Sequence, residues 1–256
     1  MATLPSALPA FEHRLVAYRR VWRGSVFSSF VLPVLFFLAM GISVGGYVDR
    51  GGVLGVPYLA YIAPGLLAST ALQVAIGETT WPVMSAFEWN RMYHGMHATP
   101  LRPRDIAGGE ALFVGLRIAS SAVAFLVVMT AFGTVHTWWG LAALPAAVLT
   151  GLAVTGPLLA FSATIKSDNM FALLYRFAVI PMTLFAGVFF PVDQLPLIAR
   201  WIAYASPLWH GVELCRAATL GSPTALPIAA HTLYLGLWTV GGFALAQLRF
   251  TKRLSD

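Results

Sequence analysis

Apolar positions in this chain do not alternate or recur on one face. They run together in blocks, at about 25–48, 58–79, 106–132, 138–164, 170–189 and 227–248. Each block is near the ~20 residues a helix needs to cross roughly 30 Å of hydrocarbon. Pro33, Pro64, Pro145, Pro157 and Pro181 lie inside them. At membrane depth neighbouring helices satisfy the backbone groups that proline frees, so these residues predict kinks, not ends. The pattern predicts an all-α integral membrane protein with six transmembrane helices and one transmembrane domain over 1–256.

Three stretches break the pattern. In 8–23, Phe11, Leu15, Tyr18 and Trp22 fall at helical spacing, with Glu12, Arg19 and Arg23 on another side. That predicts an amphipathic helix at the headgroup level; the alternative is a simple positive flank that sets topology. In 81–105 a polar segment joins two apolar blocks, with three arginines, two prolines and two histidines between Asn90 and Glu110. Trp81–Ala98 predicts one short helix, closed by Thr99-Pro100, with Asp105 placed to cap the next span. A tight turn would join two spans with far fewer residues, so the segment predicts a docking surface. In 191–226, Pro191, Pro196, Pro207 and Pro223 cut apolar sequence into pieces too short to span. Re-entrant short helices are expected there, with Trp201, Tyr204 and Trp209 as interfacial anchors.

Composition sharpens this picture. Of 256 residues 58% are hydrophobic and only 10% charged, with mean hydropathy +0.76; a soluble domain carries roughly a quarter charged residues. The net charge of +6 comes mostly from arginine, since Lys166 and Lys252 are the only lysines. With both termini cytoplasmic, the inner side holds Arg14, Arg19, Arg20, Arg23, Arg91, Arg102, Arg104, Lys166, Arg249, Lys252 and Arg253. The outer side then holds Arg50, Arg200 and Arg216, which satisfies the positive-inside rule. Arg19, Arg20 and Arg23 before an apolar run look like a signal peptide, but the run continues to Val48 and further spans follow, so a retained first span is expected. No basic patch interleaved with aromatics points to nucleic acid.

The chemistry-bearing motifs are few. Cys215 is the only cysteine, which rules out an intrachain disulfide and a multi-cysteine metal site. No GxxxxGK[ST] or HExxH sequence occurs, and the GxSxG match at 41–45 lies inside an apolar block and is no elbow, so neither a phosphate loop nor a hydrolase centre is expected. Glu78, Glu110, Arg117 and Arg176 sit at or near membrane depth, where an ionisable group is a functional candidate. Glu110 and Arg117, seven apart, share one helix face. The two acids are expected to pair with Arg91, Arg102 or Arg104. Arg176 lines a polar cavity or meets a partner carboxylate. Gly41 and Gly45 form a small-xxx-small face in the first span, which permits close helix approach.

With these regions placed, the chain resembles the permease subunits of ABC-2 type exporters, in the branch of the nodulation-factor exporter permease NodJ and the daunorubicin-resistance permeases. "ATPLRPRDIAGGEAL" at 98–112, with Glu88 and Arg91 upstream, looks like the stretch joining that family's second and third spans. "SPLWHGVELCRA" at 206–217 looks like its Pro-Leu-x-His-x5-Arg signature, carried by Pro207, Leu208, His210 and Arg216; "GVFFPVDQLP" at 187–196 matches its exit from the fifth span. Many relatives carry an acidic Gly-Thr-Leu-Glu or Thr-Trp-Glu core where this chain reads Gly95-Met96-His97-Ala98.

The resemblance implies a type V exporter-like fold in a plasma membrane and a coupling helix within 81–98. A separate ATP-binding subunit, present in two copies and carrying ATP and magnesium, would dock there through Glu88, Arg91, Arg102 and Arg104. No cofactor is expected on this chain. A second permease copy or sister subunit would share the path, lined by Phe36, Phe37, Arg176, Phe185, Phe189 and Phe190, below an outer gate formed by the 206–217 signature. The cargo would be an amphiphile: a drug, a glycolipid or a lipo-oligosaccharide. Two other readings stay open: a membrane enzyme acting on lipid through His210, Glu213 and Arg216, and a proton-coupled carrier.

Overall fold

The computed structural model describes residues 7–20, 22–40, 45–51 and 55–255, and every regular element among them is helical. In chain order these are α1 (Leu8–Tyr18), α2 (Trp22–Ala39), α3 (Gly46–Gly51), α4 (Tyr58–Thr79), α5 (Trp81–Glu88), α6 (Met92–His97) and α7 (Pro103–Ala131). After a 3₁₀ turn at Trp138–Ala142 come α8 (Ala143–Ser162), α9 (Asn169–Leu174), α10 (Ile180–Phe185), α11 (Leu197–Tyr204), α12 (Pro207–Leu220) and α13 (Ile228–Ser255).

Four helical stretches among the described residues are long and apolar enough to cross a membrane: Tyr58–Glu88, Pro103–Ala131, Trp138–Ser162 and Ile228–Ser255. The six-span expectation is thus met for four blocks. The first and fifth blocks hold α2, of 18 residues, and the shorter apolar stretch Asn169–Phe185.

Helix α8 is the hub, packing against α4, α7, α12 and α13. Its crossing with α13 depends on Gly156 and Gly242. A Cβ on Gly156 would lie 2.4 Å from the Gly242 carbonyl carbon, and one on Gly242 would lie 2.2 Å from Pro157 Cδ. Such backbone approach is what small residues provide between helices in lipid. Pro64 and Pro157 lie within continuous helices, as expected. Thr79, Thr150 and Thr155 turn their hydroxyls back on carbonyls four residues earlier, at 2.6–2.8 Å, which satisfies them without a partner helix.

Boundaries depart from the apolar blocks where backbone chemistry overrides hydropathy. The fifth block was expected to be helical to residue 189, but regular helix stops at Phe185. Gly187 adopts φ +77° and its carbonyl accepts from Arg216 Nη2 at 2.8 Å, so it is taken out of any helix ladder. Tyr175–Val179 between α9 and α10 is a π-helical turn. The single helix expected over Trp81–Ala98 is two, because Arg91 sits in the left-handed region at φ 48°. Gly41 lies outside the described residues, so the small-residue face is not described.

Candidate functional site

At the end of the bundle that holds α1 and the C-terminus of α13, charged side chains from distant parts of the chain meet. Arg14 of α1 reaches between two spans, its Nε 3.0 Å from Glu110 Oε2 on α7 and its Nη2 3.4 Å from Glu78 Oε2 on α4. The contact with Glu110 is ionic and not aligned as a hydrogen bond, since neither atom has a hydrogen-bond partner. Arg117, two turns along α7, places Nε 3.0 Å from Glu78 Oε1 and donates from Nη1 to the Tyr18 hydroxyl at 2.8 Å. Its guanidinium also lies over the Tyr18 ring, and that of Arg14 over Phe113. The expected pairing of Glu78 and Glu110 with Arg91, Arg102 or Arg104 is therefore corrected. The partners are Arg14 and Arg117, while Arg91 and Arg102, which precede α6 and α7, and Arg104 in the first turn of α7 are exposed.

Helix α1 can come this close because Gly108 and Gly109 leave a bare seat on α7. A Cβ on Gly109 would fall 2.5 Å from Ala10 Cβ and 2.8 Å from the Ala7 carbonyl oxygen. Ala10 is buried there. Helix α1 is thus keyed against α7 by shape and charge.

The polar segment divides into an inward and an outward part. Val83, Met84, Ala86 and Phe87 of α5 are buried, and Phe87 and Tyr93 pack with Phe250 of α13. Tyr93 is buried beside Glu110; burial first, then the Glu110 carboxylate, pushes its phenol well above the ordinary range. Glu88 pairs with Arg253, whose Nη1 also donates to the carbonyls of Ala163 and Ile165 at 3.0 and 2.8 Å. Glu88, half-buried, thus ties α5 to α13, and Arg253 ties both to the end of α8. The outward part, 89–104, exposes Trp89 (64%), Arg91, His94, His97, Arg102 and Arg104. Asp105 accepts from the Arg102 N–H at 3.1 Å, which caps α7.

At the opposite end the 206–217 motif resolves into physical parts. Ser206 caps α12, accepting from Leu208 N–H at 3.2 Å, with Pro207 at the first helical position. Leu208 is fully buried. Arg216 pairs with Glu213 at 3.2 Å, holds the Gly187 carbonyl and lies over the Tyr61 ring. His210 meets His231 of α13, Nδ1 to Nδ1, at 2.8 Å, and its Nε2 faces the Tyr204 carbonyl at 3.1 Å. A cavity of about 420 Å³ opens beside them, lined among others by Tyr61, Asp193, Tyr204, Trp209, Glu213 and Arg216. Trp201 is exposed as an anchor would be, whereas Trp209 is buried and Tyr204 half-buried against the cavity.

The remaining aromatic candidates separate by burial. Phe37 is fully buried between Phe125 and Phe132 and packs the core. Phe36 touches Phe189, which joins α2 to the segment after α10. Phe185, Phe189 and Phe190 are half-buried, and Arg176 is exposed in the π turn. Among the described residues no group of three or more His, Cys, Asp or Glu side chains could hold a metal ion. Sequence reasoning missed Arg14 and His231 as participants. His231 carried a signal, an ionisable ring inside an apolar block, while Arg14 was indistinguishable from a topology charge.

Comparison with known proteins fits this geometry. The model of the ABC-2 type transporter family matches residues 12–220. The chain belongs to that family. Nodulation protein J of Rhizobium leguminosarum bv. viciae is 29% identical over 99% of this chain and 98% of its own length. Nodulation protein J of Sinorhizobium fredii is 27% identical over 96% and 93%. The inner membrane transport permease YadH of Escherichia coli K12 is 22% identical over 80% and 78%. The ABC-2 chain is accordingly a membrane-embedded transport permease subunit.

Proposed function

We propose that this ABC-2 permease is the membrane half of an ATP-driven exporter that moves an amphiphilic substrate outward across the plasma membrane. It has six spans and cytoplasmic termini, and it is energised by separate ATP-binding subunits that carry ATP and magnesium. Residues 89–104 are the docking ledge. Arg91, Arg102 and Arg104 with Trp89 contact the partner, and Glu88 steadies the ledge from behind through Arg253.

The observation that carries the reading is the continuity behind the ledge. Tyr93 leads to Glu110, Glu110 to Arg14, and Arg14 to Glu78 and, through it, Arg117. A push on α6 is thereby delivered to α1, α4 and α7 together. A nucleotide-driven stroke moves a membrane helix only through an element rigidly tied to both, and these buried pairs supply the tie.

Two permease copies, or this chain and a sister subunit, enclose a path near α2 and α9–α10. Phe36, Phe185, Phe189 and Phe190 give that path apolar surface, and Arg176 gives it a charge. The 206–217 signature closes its outer end.

The test is reconstitution in lipid vesicles with and without the ATP-binding partner. Substrate-dependent ATP hydrolysis and export are expected only with both proteins, and Arg91→Ala with Arg104→Ala should uncouple hydrolysis from export while the fold survives. Lipid turnover by this chain alone would favour the enzyme reading. Export driven by a proton gradient without nucleotide would favour the carrier.

A further inference from the structure

The family signature contributes His210, and α13 contributes His231; both rings are buried, at 4% and 0% exposure. Their contacts determine where the protons are. His210 Nε2 lies 3.1 Å from a carbonyl oxygen, which can only accept, so Nε2 carries the hydrogen and Nδ1 is a bare acceptor. The 2.8 Å Nδ1–Nδ1 contact then requires His231 to donate from its own Nδ1. His231 Nε2 is left as a lone pair, buried and without a hydrogen-bond partner. Two neutral rings sharing one bridging proton satisfy every contact except that orphan.

An additional proton has two places to go. On His231 Nε2 it places a charge in a fully buried site against Trp209, where the Leu226 carbonyl offsets only part of the cost of burial. On His210 Nδ1 it sets two N–H groups head to head. Both outcomes disfavour the closed contact.

Other titratable and charged groups around the pair do not rescue it. Glu213 of α12 is the carboxylate whose charge acts on His231, but its Oε1 is taken by Arg216 and its Oε2 by the Ala225 N–H. Helix α11 offers the Tyr204 carbonyl, and Tyr234 of α13 bonds the Ala205 carbonyl. Helix α8 has no titratable side chain, α4 brings Tyr61 beneath Arg216, and Cys215 of α12 is buried.

We propose that His210 and His231 form a one-proton latch between the re-entrant helix α12 and the last span, and that proton uptake from the outer face releases it. The outer location and gating role rest on the exporter reading above; the latch itself does not.

Cys215, the lone cysteine, reports on the latch because it is buried on α12 about a turn and a half from His210. Burial pushes its thiol up to about 12, so the latched state is unreactive. The full-length protein in lipid nanodiscs is treated with a thiol reagent at pH 7.5 and 5.5. Each rate is divided by that of the unfolded chain at the same pH.

Burial, then the His231 ring, lowers His210 from 6.5 to about 4 in the latched state. The released state therefore binds more protons, and its population grows as pH falls from 6.5 toward 4. Linkage gives roughly a tenfold rise in normalised labelling between the two pH values. The double variant His210→Gln with His231→Gln leaves no imidazole in the contact, and its ratio should stay flat. A flat wild-type ratio overturns the latch without any variant, as does an equal rise in the double variant. If labelling responds while export by the assembled transporter is unchanged in the double variant, the latch stands and the gate assignment fails.

Discussion

Replacing Arg14 by methionine keeps much of the side chain's apolar length and deletes the charge 3.0 Å from Glu110 Oε2. Glu110 is 2% exposed, and Arg117 is committed to Glu78, so the deletion leaves a buried carboxylate without its counter-ion. Breaking a buried pair in this way costs about 3–5 kcal/mol. Thermal unfolding in detergent, followed by tryptophan fluorescence, should show Tm about 10 °C lower.

Glu110→Gln alone is milder, about 1–3 kcal/mol, because Arg14 retains Glu78 and the face of Phe113. In the double variant the stranded charge is gone, so the two costs do not add; the coupling should be near 2 kcal/mol. Additivity within about 0.5 kcal/mol would mean that the two groups do not sense each other, and the proposed tie between α1 and α7 would be lost.

Two further outcomes test the same end of the bundle. Gly109→Val should overpack the α1 seat at a cost of about 1–3 kcal/mol and expose residues 8–20 to protease, whereas Gly95→Ala, whose added Cβ meets open space, should do neither. Arg253→Gln removes the Glu88 pair and weakens the hold on the Ala163 and Ile165 carbonyls. It should lower stability by about 1.5–3 kcal/mol and raise the ATP hydrolysed per substrate exported in the reconstituted transporter.

What the sequence made legible was whatever depends on near neighbours. Four apolar blocks became long helices, Asp105 capped α7, and Glu213 with Arg216 paired at i, i+3. The prolines of 191–226 cut that stretch into α11 and α12. The charge network was not legible, because its partners lie 64 and 96 positions from Arg14 and nothing local distinguishes that arginine from its neighbours. The break at Arg91 follows no glycine or proline; its left-handed backbone is set by how α5 and α6 bury Phe87 and Tyr93 together. His231 could have been found by the rule that singled out Arg117, since it too is ionisable inside an apolar block.

The central claim is that residues 89–104 face the cytoplasm and seat the ATP-binding subunit. It is tested most directly by a cysteine introduced at Arg91, with the buried Cys215 as internal background. The account predicts that in intact cells this thiol is shielded from a membrane-impermeant reagent, becomes reactive in inverted vesicles, and cross-links to the ATP-binding subunit when the two are co-expressed. Labelling from outside intact cells would contradict it.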